Sequence, residues 1–127
     1  MEYLDEDGYP TEEALDKIAR WPYTDGWTEL LAFVRELWAY PVNNEYWREE
    51  KNVTTIDLPN YKVVADVYHV STAGWSGNEE IIRALQDNWR FWNFCWEQSN
   101  RGGHYVFHVK ISSDAVNYQY VRQELDK

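Results

Sequence analysis

The chain has 127 residues, with 22 acidic against 12 basic side chains and a formal charge of −10. That length fits one domain, and that charge argues against a general binder of duplex nucleic acid, which needs a basic footprint. A hydrophobic share of 44% is too high for intrinsic disorder, and the single cysteine, Cys95, excludes an internal disulfide or a multi-thiolate metal site.

Residues 1–9 are acidic and aperiodic and are expected to be loose. Thr11 then offers a helix cap, with Glu12 and Glu13 in the favourable first turn. Ala14, Leu15, Ile18 and Ala19 follow at helical spacing until Pro22. A second helix follows Asp25, where Trp27, Leu30, Leu31, Val34, Leu37 and Trp38 form an apolar stripe that Pro41 ends. Residues 10–40 thus read as a helical hairpin. Val42–Asn52 is polar and reads as loop.

The apolar period then drops to two. Val53–Leu58 is strand-like, Pro59-Asn60 signals a turn, and Tyr61–Val70 alternates as a second strand. Ser76 and Glu79 have capping-box spacing ahead of a helix that buries Ile81, Ile82 and Leu85. Trp89–Glu97 reads as a strand, with Trp92, Phe94 and Trp96 inward and Trp89 and Phe91 outward. Asn100-Arg101-Gly102-Gly103 reads as a hairpin turn. His104–Ile111 returns, with Tyr105, Phe107, Val109 and Ile111 inward and His104, His108 and Lys110 outward. Residues 113–126 carry Ala115, Tyr118, Val121 and Leu125 on a helical stripe, although Val116, Tyr118 and Tyr120 also suit a strand.

The order α-α-β-β-α-β-β-α implies an α+β domain over 1–127: about four antiparallel strands, with helices packed on one face and residues 53–111 forming the sheet and its inserted helix. No stretch is long and apolar enough to span a membrane, and no basic–apolar leader opens the chain, so it is expected in the cytoplasm.

The pattern Gly74-Trp75-Ser76-Gly77-Asn78-Glu79, then Phe91-Trp92 and Trp96, then Arg101-Gly102-Gly103-His104-Tyr105, resembles a set shared by small uncharacterised bacteriophage proteins. It covers about 40 residues. The resemblance implies a phage origin, action in the cytoplasm of a bacterial host, and an accessory role such as disabling a host defence. It transfers no catalytic residue.

The chemistry-bearing residues each have a plain structural reading beside a functional one. The Gly74–Asn78 loop and the helix start behind it can cradle an anion, yet Glu79 and Glu80 already occupy that turn and favour simple capping. His104 and His108, four apart on one strand, sit too far apart to grip one ion, so no metal or cofactor is expected. A hydrolase using either with Asp66, or a nucleophile at Cys95, is the weakest class; Cys95 lies among aromatics, where a thiol behaves as a small hydrophobe.

The aromatic share, 17%, carries more weight. Trp89, Phe91, Tyr68, His104, His108 and Arg101 would make a neutral surface on an acidic protein, able to dock a partner. Charge is uneven as well: residues 1–60 carry 14 acids and 5 bases, a balance of −9, whereas 61–111 carry five of each. Asp5, Glu6, Asp7, Glu45, Glu49 and Glu50 could present a DNA-like surface to a basic groove. The leading expectation is therefore a non-enzymatic protein that binds and inhibits a host macromolecule, a protein in the first instance, alone or as a homodimer. The alternative is a nucleotide or small-anion pocket built from Trp75, Ser76, Gly77, Trp89, Arg90, Arg101 and Lys110.

Overall fold

The structure, a computed structural model, describes residues 3–39 and 46–113. Thr11 caps helix α1 (Glu12–Ala19) by accepting from the Ala14 amide at 3.2 Å. Pro22 stops it, and a 3-10 turn (Tyr23–Asp25) leads into α2 (Trp27–Leu37). Ala14 and Ile18 of α1, and Leu30, Leu31, Val34 and Leu37 of α2, are buried, as their spacing requires. The sheet follows as β1 (Trp47–Leu58), β2 (Tyr61–Ser71), β3 (Trp96–Asn100) and β4 (His104–Ser113), with α3 (Ser76–Asp87) and α4 (Trp89–Cys95) between β2 and β3. All strand pairs are antiparallel, in the spatial order β1-β2-β4-β3. Residues from every helix join Trp47, Tyr68, Val70, Phe107 and Val109 of the sheet in one core cluster. The expected α+β layering, with helices on one sheet face, is the architecture found.

Several local expectations give way. Residues 3–10 fold into a turn in which Leu4 bridges Pro10 and the Asp5 carboxylate accepts from the amides of Asp7 and Tyr9, both at 2.9 Å. The supposed loop ending at Asn52 is, from Trp47 onward, the first half of β1. It is an edge strand, and edge strands carry charge that discourages further pairing; the run Arg48-Glu49-Glu50-Lys51 hides the alternation for that reason. Ser76 does not cap α3: Trp75 holds the cap position without a side-chain hydrogen bond.

The largest change is at 89–97. Phe91, Trp92 and Cys95 are spaced for one face of a helix, and Asn88 caps that helix by accepting from the Phe91 amide at 3.2 Å. Only Trp96 and Glu97 belong to a strand. Phe91 is consequently fully buried, packed between Trp27 and Phe107, while Phe94 turns outward. In β4, Tyr105, Phe107 and Val109 face the helices as expected, but the pairing shifts just beyond Lys110 and Ile111 is exposed. The helix assigned to 113–126 lies outside the described residues, apart from Ser113 at the end of β4.

Candidate functional site

Two regions gather chemistry-bearing side chains. The first is the outer side of α4. Trp89 and Phe94 are 63% and 62% exposed, and Tyr23, on the 3-10 turn, is 57% exposed. The Arg90 guanidinium lies 5.7 Å from the Tyr23 ring centre and 5.4 Å from that of Trp89, bridging the two elements. Arg20, Tyr23, Trp89 and Arg90 line a cleft of about 320 Å³. Trp96, stacked on Trp92, extends the aromatic surface toward the β3 edge.

Asn88 holds this face in place. Its side chain is buried; besides capping α4, its amide donates to the carbonyls of Ile18 and Trp21, at 3.0 and 2.9 Å. One residue thus ties the exit of α1 to the junction of α3 and α4. The backbone that carries Trp89 and Arg90 is held at that junction as a result.

The second region is a cleft of about 510 Å³ between α2 and the β1–β2 pair, lined by Ala32, Arg35 and Glu36 on one side and Glu49, Lys51 and Tyr68 on the other. An extra residue in β1 near Lys51 and Asn52, with Asn52 at φ 57°, shifts the register there. Lys51 reaches Glu49 at 3.3 Å and Asp66 at 3.6 Å, and sits 5.5 Å from the Tyr68 ring centre. Glu49 also takes the Trp47 indole N–H at 2.8 Å and lies 3.7 Å from Arg35. Desolvation opposes the charge on Lys51, but Tyr68, Glu49 and Asp66 outweigh it and raise its pKa. Desolvation likewise raises the Tyr68 phenol, against the pull of Lys51. Sequence reading named Glu49 and Tyr68 but missed Lys51 and Arg35, because the bulge that aims Lys51 leaves no periodic signal.

The residues expected to form one docking surface are divided. Phe91 is a core residue and cannot dock anything, and Tyr68, buried with Lys51 over its ring, belongs to the wall of the α2 cleft instead. His104 and Arg101 are exposed at the β3–β4 hairpin, and His108 is half-buried on the sheet face away from the helices. His108 Nδ1 there lies 3.8 Å from Glu97, and His69 Nε2 lies 3.0 Å from Glu50. Burial depresses the His108 imidazole against Glu97, with Lys110 and His69 adding to the depression. The hydrogen bond with His69 holds Glu50 below the usual carboxylate range, assisted by Arg48.

The acidic set divides too. Glu49 belongs to the α2 cleft and Glu50 to the opposite sheet face, Asp5 is spent on its own turn, and Glu45 lies outside the described residues. Asp66 pairs with Val109 on the helix side, whereas His104 and His108 point the other way, so the hydrolase arrangement does not form. Cys95 is buried and its thiol is pushed up to about 12 by desolvation, which removes the nucleophile.

The anion loop is closed as well. The Trp75 ring lies against Tyr9 at 4.7 Å and covers Gly77, where an added Cβ would come within 2.3 Å of the indole. Ser76 Oγ is turned to the Tyr9 hydroxyl at 3.5 Å. Arg90 stands on α4, Arg101 in the β3–β4 hairpin and Lys110 on β4, and of the three Arg90 lines the cleft beside Asn88.

Comparison with protein-family models, with curated proteins and with solved structures finds no match. No helix among the described residues is long and apolar enough to cross a membrane. Among the same residues, no three of His, Cys, Asp and Glu converge as metal ligands.

Proposed function

We propose that this chain is a non-enzymatic binding protein that occupies a partner macromolecule through the outer side of α4. The supporting observation is that Tyr23, Trp89 and Phe94 are each more than half exposed, with Arg90 against the rings of Tyr23 and Trp89. Contiguous exposed aromatic surface is disfavoured in water, and aromatic residues with arginine dominate the energetics of protein interfaces. Phe91 and Trp92 root the helix in the core, so its backbone has no ordering cost to meet on binding. The resemblance to small phage proteins supplies the setting: the partner is a host protein, with a defence component as the leading candidate, and the outcome is inhibition.

The test is affinity capture from bacterial lysate with the native chain and with a Trp89→Ala/Phe94→Ala variant. The reading expects a defined partner retained by the native protein and lost by the variant, with unchanged circular dichroism. Equal capture by both proteins would refute it.

A nucleotide is the second reading, favoured by one observation: three aromatic residues, Trp21, Tyr23 and Trp89, and two arginines line the cleft beside Asn88. Stacking on Trp89 with phosphate on Arg20 and Arg90 would quench tryptophan fluorescence and raise the melting temperature by mass action. A nucleotide panel that moves neither signal removes this reading.

A further inference from the structure

We propose that the cleft between α2 and the β1–β2 pair receives an arginine side chain presented by the partner protein. This rests on the partner-binding reading above and adds the partner's chemistry: a basic surface. The chain itself shows what the cleft accepts, since an ammonium, that of Lys51, already sits over the Tyr68 ring and between Glu49 and Asp66. Lys51 is nevertheless half-exposed, on a bulge at the sheet edge, and can swing aside.

The charge balance favours a cation over an anion. Arg35 and Lys51 face Glu36, Glu49 and Asp66, so two positive groups meet three negative ones and the site keeps a net charge of −1. The surrounding protein, at −10, adds attraction for a basic partner and repels an acidic one. Arginine suits the site: when Lys51 moves aside, Glu49 Oε1 is freed on a cleft wall that also carries Glu36, and carboxylates pair well with a planar donor fork. A cleft of about 510 Å³ admits one such side chain without rearranging the core.

Isothermal titration at low salt with an acetylated hexa-arginine peptide, and in parallel with spermine, tests this. Glu49→Gln keeps an acceptor for the Trp47 indole and should weaken the peptide roughly 2- to 5-fold, as expected for one lost charge contact. Lys51→Met should tighten it several-fold, because removing the resident cation leaves Glu49 and Asp66 unneutralised. Glu12→Gln/Glu13→Gln, on α1 away from the cleft, should change the affinity less than 2-fold. Melting curves confirm that each variant is folded.

Weaker binding in Lys51→Met would overturn the proposal, since removing the resident cation would then not free Glu49 and Asp66 for the peptide. So would an equal loss in the α1 variant, which would mean diffuse attraction, or spermine binding as tightly as the peptide, which would mean a polyamine site. The Trp89→Ala/Phe94→Ala variant should bind the peptide normally. Failure of the cleft and failure of the α4 docking face are therefore read separately.

Discussion

Asn88 offers the sharpest test of how the α4 face is held. Replacing it with alanine removes the α4 cap, worth about 1 kcal/mol in most helices. It also removes the two hydrogen bonds to the carbonyls of Ile18 and Trp21, each worth about 1 kcal/mol net when buried. The Ile18 carbonyl keeps a second donor, the Trp21 amide at 3.3 Å, so its loss is the smaller one. The sum is roughly 2–4 kcal/mol, or about 10 °C in melting temperature for a domain of this size. Asn88→Ser retains a capping oxygen and should recover about 1 kcal/mol of that loss. Urea unfolding followed by tryptophan fluorescence gives both differences. If Asn88→Ala lies within 0.5 kcal/mol of the native protein, this side chain does not tie α1 to the α3–α4 junction, and the fixed presentation of Trp89 and Arg90 loses its basis.

Phe91→Ala should cost about 3–5 kcal/mol, whereas Phe94→Ala three residues on should cost less than about 0.5 kcal/mol; similar losses in denaturation curves would contradict the helical assignment of 89–95. Cys95 should resist a thiol reagent at pH 8 in the native protein and react at once in denaturant. Rapid native labelling would contradict its burial. His108 is less readily protonated in the native protein than in the unfolded chain, where its pKa is near 6.5. The unfolded state therefore takes up more protons below that pH, so this contribution to stability is whole above about 6.5 and declines as pH falls through the native pKa. His108→Gln should flatten that decline in melting temperature between pH 7 and 5, and an unchanged slope would exclude His108 as its source. Gly103→Ala should destabilise the β3–β4 hairpin, because φ there is 82° and an added Cβ would meet Thr72 Oγ1 at 2.3 Å; an unchanged melting temperature would refute that.

Patterns within one element were legible from the chain alone. Thr11 before two glutamates, the α2 stripe, Pro59-Asn60 and the paired glycines at 102–103 are local signals, because helix caps, amphipathic faces and hairpin turns depend on residues a few positions apart. The layering followed, since one apolar face per element has to be buried against another. Tertiary packing decided the rest. Period-two reading failed at 89–97, where five of nine residues are aromatic and apolarity no longer distinguishes inside from outside; contacts with Trp27 and Phe107 select Phe91 as the buried ring and leave Trp89 and Phe94 in water. The same holds at the second site: Lys51, Tyr68 and Arg35 come from three elements, and a bulge with no periodic signature brings them together. Charge along the chain is a sum, but which face of a strand holds Glu49 and which holds Glu50 is a matter of register, set by long-range pairing.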